Sequence, residues 1–316
     1  MFRFLKTVPM EGYLWREDVS ALPDLNGEVP KYKGPVLVGK GTRGRVISPL
    51  EDHPTLFEEF AKLQEGPADE LQARIIRFAN SYGDLYRGQG DRTLLVLLDD
   101  LSFGEDLSVW KKEIADMAYA FRLWRCLKNG YINKLHGTVH WEGNCVGTTW
   151  NEVFNFKSFE QVFGKMPISK VDPNEKYLGF LKGDLIGPAN YFLQEIINKK
   201  ITGHVSPRLL RDQEFNLHPY FMPDSLLSAM WFQLFQAVSG ITNFIQCEIC
   251  GGLIAIKPGN RSTKKVHTRC AKNRSDRKRE AGKLFKDGLS ITEIANKVGE
   301  DIEIVTDWSK GWGKEV

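Results

Sequence analysis

Three cysteines and one histidine near the end of the chain have the types and the spacing of a metal site. Cys247 and Cys250 are separated by two residues, His267 and Cys270 are also separated by two, and sixteen residues lie between the pairs. Zinc takes four thiolate or imidazole ligands in a tetrahedron, and so short a gap lets both members of a pair reach one ion. Four ligands leave no position open for a substrate. The pattern therefore predicts a structural Zn²⁺ held by these four side chains.

A strongly basic segment surrounds the second pair of ligands. Residues 255–286 contain twelve lysines and arginines against two acidic residues, a net charge of +10, whereas residues 287–316 carry −4. Such segregation indicates either a polyanion-binding surface or a solvated basic face, and the adjacent metal pattern favours the first. Duplex DNA is the favoured partner. The predicted contacts are Lys264, Lys265, Arg269, Lys272, Arg274, Arg277, Lys278, Arg279, Thr306 and Lys310.

The metal pattern and the residues after it carry a family resemblance. Cys250-Gly251-Gly252, followed by Cys270-Ala271-Lys272-Asn273-Arg274 and Arg277-Lys278-Arg279, is similar to the bacterial zinc fingers of the CGNR type. In those fingers the last cysteine ligand leads into a basic helix, whereas here Ala271-Lys272 replaces a single glycine. The resemblance covers residues 247–279, and it implies nucleic-acid binding and a role in transcriptional regulation.

The last residues predict three short helices from Ala281 to Gly311. Ser290 and Glu293 form a capping box for the second helix, and Gly299 supplies the turn, where a positive φ costs glycine little. Asp301 is placed to cap the third helix. The whole resembles the helix-turn-helix of resolvases, invertases and transposon-type regulators. The outward face of the third helix is unusual for such a unit because it carries carboxylates, which phosphate repels; its residues are Asp301, Ile302, Glu303, Thr306, Asp307 and Lys310.

Upstream of the metal ligands, the sequence predicts a mixed α+β body. Short apolar runs predict strands at 35–38, 45–47 and 94–98. Helical spacing of apolar residues is clearest where Trp110, Ile114, Met117, Phe121 and Trp124 form one stripe; the predicted helices span 54–65, 69–82, 108–128, 190–199 and 225–238. Residues 131–185 show a mixed pattern and stay unassigned.

The expected fold is α+β, with a mostly helical N-terminal body and a small β-rich start over residues 1–246. A zinc finger with a basic extension follows at 247–279, and a three-helix helix-turn-helix unit at 280–316. The chain has 316 residues, 42% apolar and 26% charged, with a formal net charge of +3. These values exclude disordered chains, collagen and coiled-coil rods.

The cysteine count and the start of the chain predict a reducing compartment. Five cysteines in 316 residues are too few, and odd in number, for a secreted disulfide framework. The first residues lack the apolar run of a signal peptide. The apolar stretch from Leu94 to Leu98 is far too short to cross a bilayer. We therefore expect a cytoplasmic protein without a membrane partner.

Other motifs give weak signals. Gly39 to Gly44 matches a dinucleotide fingerprint, but the β-like residues after it do not open the helix that binds pyrophosphate, so a glycine hairpin is expected instead. His136 and His140 have the spacing of a helical zinc site, but Gly137 argues against a helix. No partner is recognisable for His53, His204 or His218, and no residue can be nominated for catalysis.

Three functions remain open on the sequence. The first, favoured, is a zinc-dependent DNA-binding protein, such as a bacterial or mobile-element transcriptional regulator. The second is a protein-interaction module whose acidic third helix docks on a partner. The third is an enzyme whose active site lies within residues 1–246. RNA binding is a further alternative to DNA binding.

Overall fold

The computed structural model describes residues 6–17, 20–21, 35–40, 43–48, 52–86, 93–97, 100–142, 145–150, 153–158, 183–211, 215–256 and 265–312. The chain divides into an N-terminal unit, Met1–Ile241, and a C-terminal unit, Thr242–Val316. Both units contain helices and antiparallel strands, which confirms the α+β class. None of the helices in the described part of the chain has both the length and the apolar character that a membrane span requires.

The first strands of the N-terminal unit form two antiparallel sheets. β1 pairs with β5, and the other strands form a sheet in the order β2-β4-β7-β6-β3. The strands are β1 (Lys6–Pro9), β2 (Tyr13–Arg16), β3 (Ser20–Ala21), β4 (Val36–Gly39), β5 (Gly44–Ile47), β6 (Thr93–Leu97) and β7 (Asp100–Asp106). Val36, Leu37 and Val38 are buried in β4. The predicted strands near 36, 45 and 94 are thus confirmed.

Strands also occur later in the N-terminal unit. β8 (Val139–Glu142), β9 (Cys145–Trp150) and β10 (Val153–Ser158) form a sheet in the order β10-β9-β8. β11 (Val205–Arg211) and β12 (Leu217–Pro223) form a separate two-stranded sheet. The segment that the sequence left unassigned therefore contributes these three antiparallel strands.

The glycine-rich segment from Gly39 to Gly44 joins two sheets. Gly39 ends β4 and Gly44 begins β5, and the intervening Gly41 and Thr42 lie outside the described residues. β4 pairs with β2 and β7, whereas β5 pairs with β1. The predicted glycine hairpin is therefore wrong, because each strand takes other neighbours. Since a strand follows the segment, the expectation that it opens no helix is confirmed.

Helices build the core of the N-terminal unit. They are α1 (Leu56–Ala61), α2 (Leu71–Tyr82), α3 (Leu107–Lys128), α4 (Ile132–Leu135), α5 (Ile186–Ile201) and α6 (Leu226–Val238). The long α3 packs against α1, α5 and α6. Its predicted apolar stripe from Trp110 to Trp124 is buried. The ring of Phe57 from α1 contacts those of Phe121 and Trp124, with centroids 5.8 and 6.2 Å apart.

A buried charge cluster links three of these helices. Lys200 Nζ of α5 lies 2.5 Å from Glu113 and 2.8 Å from Asp116, both on α3. The two carboxylates are only 4% and 2% exposed. The same ammonium lies 5.6 Å from the centroid of the Trp231 ring on α6. Because two carboxylates are buried there, a cation at this position is needed to offset their desolvation.

Replacing Lys200 should destabilise the N-terminal unit strongly. The change Lys200→Met leaves two buried carboxylates without their closest cation, and breaking a buried pair costs about 3–5 kcal/mol. The free energy of unfolding from urea titration measures the loss. Lys199→Met is the matched control, since Lys199 is exposed on the same helix. Equal stability of the two variants would show that Lys200 is not needed to offset the two carboxylates, which Lys112 also approaches at 3.5 and 3.9 Å.

The C-terminal unit consists of a two-stranded ribbon followed by three helices. They are β13 (Asn243–Gln246), β14 (Leu253–Ile256), α7 (Thr268–Lys286), α8 (Ile291–Val298) and α9 (Ile302–Ser309). β13 pairs with β14 and therefore lies in this unit, although it precedes the predicted boundary at Cys247. The predicted short first helix is wrong, because α7 runs without a break for 19 residues from the metal ligands to Lys286.

Candidate metal centre

The turn between β13 and β14 positions the first pair of ligands. The backbone N–H of Cys247 donates to the carbonyl of Gly252, and that of Gly251 donates to the carbonyl of Cys247, both at 2.8 Å. Gly251 has φ +66°, a conformation that glycine adopts without the steric cost other residues incur. The turn closes tightly and leaves Cys247 buried and Cys250 exposed.

The second pair of ligands lies at the start of α7. His267 precedes the first residue of the helix, and Cys270 lies in its first turn. The N–H of Glu248 donates to the carbonyl of Lys265 at 3.0 Å, which ties the segment before α7 to the first pair. The positive end of the helix dipole therefore faces the sulfur atoms, and this arrangement favours thiolates.

The four ligand atoms converge on one point. The three sulfurs and one ring nitrogen all lie within 4.8 Å of one another. His267 Nδ1 is 3.3 Å from Cys250 Sγ and 3.8 Å from Cys270 Sγ. Bond lengths of about 2.3 Å to sulfur and 2.0–2.1 Å to nitrogen place the corners of a zinc tetrahedron roughly 3.5–3.8 Å apart. This group could therefore hold a metal ion.

The other ring nitrogen of His267 fixes the state of the imidazole. Nε2 lies 2.9 Å from the carbonyl oxygen of Leu253. A carbonyl only accepts, so Nε2 must carry a hydrogen, and the neutral imidazole of this tautomer presents the lone pair of Nδ1 to the sulfurs. Metal-bound histidines usually donate their second N–H in this way, which orients the ring. The backbone of β14 is thus part of the centre.

The pKa values of two thiols of the centre, Cys247 and Cys270, are shifted in opposite directions. Burial raises the pKa of Cys247, but backbone N–H groups, including those of Cys250 and His267, lower it by more, so that the pKa is about 6. Burial, together with the hydrogen bonds and charges of Cys250 and Cys247, raises the pKa of Cys270 to about 11. Close thiolates repel one another, so a divalent cation between them would stabilise their ionised forms.

Beyond the ligands, α7 is surrounded by solvent for almost three turns. All ten residues from 271 to 280 are exposed. Helical steps of three, seven, four and three residues place five exposed cations on one side; this cationic face consists of Arg269, Lys272, Arg279, Lys283 and Lys286. The buried Ala281 lies two residues from Arg279 and from Lys283, so it points about 160° away from each.

Several predicted nucleic-acid contacts have local partners. Thr306 Oγ1 donates to the carbonyl of Ile302 in its own helix at 2.7 Å. Of the predicted contacts, Lys264 lies outside the described residues. The ion pairs are Lys265 with Glu248 at 3.4 Å, Arg279 with Asp276 at 3.2 Å, Lys310 with Asp307 at 3.1 Å and Arg277 with Glu300 at 2.7 Å. The first three pairs are largely exposed and therefore weak.

The remaining predicted contacts are available to a partner. Within the described part of the chain, no carboxylate pairs with Arg269, Lys272, Arg274 or Lys278. Arg277 differs from them because Glu300, which precedes α9, is only 16% exposed where it receives the guanidinium. Arg277 therefore links α7 to the turn between α8 and α9, a role that the sequence pattern did not indicate.

The three helices enclose a small core. Its buried residues are Ala281, Ile294, Ala295, Val298, Val305 and Trp308. Ser290 and Glu293 form the predicted capping box, and Gly299 adopts φ +64° in the turn after α8. Asp301 occupies the position before α9, but its side chain makes no capping hydrogen bond, so that expectation is wrong. The main chain there is extended and the carboxylate points to solvent.

The outer surface of α9 is acidic, as the sequence indicated. Asp301, Glu303 and Asp307 are exposed, and so is Ile302, at 51%. The single lysine of this surface, Lys310, is paired with Asp307. Phosphate would therefore meet mostly negative charge on α9, in contrast to α7.

Within the described residues, the histidines other than His267 belong to no group that could hold a metal ion. His136 follows α4 and His140 lies in β8, so they share no helix, as predicted. His204 Nδ1 lies 2.8 Å from Asp224, a partner that the sequence did not reveal. Ser228 Oγ donates to Asp224 at 2.9 Å, so the serine contacts the carboxylate and not the imidazole. The buried Ser228 completes the capping box that Ser225 begins at the start of α6, and it is not placed as a nucleophile.

No protein-family model matches the chain, and neither a curated protein nor a solved structure is significantly similar to it.

Proposed function

We propose that this chain is a zinc-dependent DNA-binding protein and acts as a bacterial or mobile-element transcriptional regulator. One observation carries the proposal: an exposed helix with cations along one face begins directly at a group of four metal-binding side chains. The regulatory role and the family types, a CGNR-like finger and a resolvase-type helix-turn-helix, rest on the sequence resemblances alone.

Zinc fits the donor set better than other common ions. Three soft thiolates and one imidazole select zinc over magnesium and calcium, which prefer oxygen ligands. Cys247, Cys250, His267 and Cys270 fill all four positions of a tetrahedron, so the ion is structural. It would fix the start of α7 to the turn between β13 and β14.

The dimensions of α7 suit a nucleic-acid duplex. From Arg269 to Lys286 the helix rises about 25 Å, and the major groove of DNA, about 12 Å wide, accepts one helix. Cations on one face can reach phosphates, while the opposite side of α7 packs on α8 and α9 from Ala281 onward. We therefore assign phosphate contact to α7, and not to the acidic α9 that the helix-turn-helix resemblance would favour.

Metal analysis combined with duplex titration tests the proposal. Purified full-length protein should contain about one zinc per chain. Five phosphate contacts predict that affinity for a 20-base-pair duplex falls several hundredfold, roughly, between 50 and 200 mM salt. Fluorescence anisotropy measures the affinity, and a duplex RNA of equal length is the matched competitor. Affinity that does not change with salt, or a stronger preference for RNA, would overturn the assignment to DNA.

The exposed carboxylates of α9 favour a second candidate, a protein-interaction module. Asp301, directly before α9, and Glu303 and Asp307 within it are all exposed. A basic protein partner would be attracted to them. Neutralising the three with asparagine and glutamine should leave duplex binding intact or strengthen it if α7 binds DNA. Loss of a co-purifying protein partner from the same variant would support the second candidate.

A further inference from the structure

The N-terminal unit contains a cavity that the DNA-binding proposal does not use. Its volume is about 270 Å³, and its walls come from α3, from the end of α1 with the turn that follows, and from the segment around α4. An engineered cavity of about 150 Å³ holds one benzene molecule. The cavity therefore has room for a molecule about twice that size.

The charged side chains around the cavity are mostly basic. Lys62, Arg122, Arg125 and Lys134 line it, against Glu65 as the one acidic residue among its described lining residues. Lys62 pairs with the buried Glu58 at 2.9 Å. No carboxylate in the described part of the chain pairs with the other three cations. Arg122 and Lys134 are exposed and Arg125 is half-buried, so all three cations beside this cavity are accessible to an anionic ligand.

Aromatic rings support two of these cations. The Arg125 guanidinium lies 5.7 Å from the centroid of the Phe121 ring, and the Lys134 ammonium lies 4.9 Å from that of Tyr131. Such contacts hold a cation against the ring face and leave its outer N–H groups free. Ala61 and Ala118 add apolar wall. The cavity thus offers flat apolar surface together with donors for an anion.

We propose that this cavity binds a small aromatic carboxylate of about ten to twelve non-hydrogen atoms, which is about twice the size of benzene. Its ring would lie against the apolar wall of Phe121 and the two alanines. Its carboxylate would receive N–H donors from Arg122, Arg125 and Lys134. A guanidinium suits this anion because two parallel N–H groups match the two carboxylate oxygens.

The cavity is assigned to binding and not to catalysis. Its lining includes the thiol of Cys126, and burial raises the pKa of that thiol, although Lys134, Arg122 and Arg125 lower it. The described lining residues include neither a histidine nor a serine. A protonated thiol without a neighbouring base is a poor nucleophile. The site therefore goes beyond the proposed DNA binding and is independent of it.

Calorimetry with trans-cinnamate and cinnamamide tests the proposal. The two probes have the same size and ring, but only cinnamate carries a negative charge. Full-length protein should bind cinnamate at least tenfold more tightly than cinnamamide. The double change Arg125→Gln, Lys134→Gln should weaken cinnamate binding at least tenfold. The control Arg77→Gln removes an exposed helical arginine outside the cavity and should leave the affinity unchanged.

Each other outcome counts against the site. Equal affinity for the two probes, or no cinnamate binding at millimolar concentration, would overturn the proposal. So would equal losses in the cavity variant and in Arg77→Gln. If the double variant unfolds, Arg122→Gln takes its place, because Arg122 is exposed and its change should not disturb the fold. DNA affinity of the same variants should be unaffected, so that failure here leaves the proposed DNA binding standing.

Discussion

Removing the metal should unfold the ligand-bearing part of the C-terminal unit and abolish duplex binding, while the three-helix core stays folded. Among its described residues, the part from Thr242 to Cys270 buries few large apolar side chains, chiefly Phe244 and Leu253. So small a core cannot offset the loss of chain entropy. Structural zinc contributes about 10–16 kcal/mol of apparent folding free energy in comparable modules.

Two samples test this expectation, the chelated wild type and the variant Cys250→Ser. Both should lose the bound metal and the dispersed amide NMR signals of residues 243–256, while the signals of α8 and α9 persist. Duplex affinity should fall roughly a hundredfold or more, because the first turns of α7 lose their anchor. Cys126→Ala is the matched control, since Cys126 lies in the other unit. Retained amide dispersion and DNA affinity after chelation would exclude a structural metal.

The metal ligands could be predicted because the information is local in the sequence. Two residues that are separated by two others must lie close together in almost any tight turn or helix start. The structure places Cys247 and Cys250 in a tight turn and Cys270 at the start of a helix. The carbonyl of Leu253 could not be predicted in the same way. Every residue carries a carbonyl, so the residue type at position 253 contains no signal for the hydrogen bond to His267.

The true start of α7 was missed for a physical reason. Apolar periodicity indicates a helix only where one side packs on a core, and the ten residues from 271 to 280 are all exposed. The pattern therefore appears only at Ala281, the first residue of α7 that is buried in the three-helix core. An exposed helix that is anchored at both ends leaves no apolar stripe in the sequence.

In the N-terminal core, too, the sequence predicts a helix but not all of the residues that the helix buries. The stripe from Trp110 to Trp124 predicts α3 because its apolar residues recur at helical steps. Glu113 and Asp116 of the same helix are equally buried, but they read as surface residues. Their partner Lys200 is 87 residues from Glu113 in the chain. Tertiary packing creates that cluster, and no local pattern encodes it.

Neutralising the cationic face of α7 should reduce DNA affinity roughly a thousandfold. The change Arg269→Gln, Lys272→Gln, Lys283→Gln removes three exposed cations that have no ion pair among the described residues. Each lost phosphate contact makes the negative slope of log affinity against log salt shallower by about 0.9. At 0.1 M salt, the loss of one contact lowers affinity about tenfold. Anisotropy titrations at several salt concentrations measure both quantities.

A control of equal charge separates this local effect from long-range attraction. Arg77→Gln, Lys111→Gln, Lys199→Gln removes three exposed helical cations from the N-terminal unit, so both triple variants change the net charge by −3. If the cations act only through long-range attraction, both triple variants should lose the same amount of DNA affinity. Direct phosphate contact by α7 requires that only the first variant lose affinity and salt slope together. Because glutamine keeps helix propensity close to that of lysine and arginine, helix content should not differ between the variants. Equal losses of DNA affinity would show that α7 does not contact the DNA directly, and would favour the second candidate, in which the acidic α9 binds a protein.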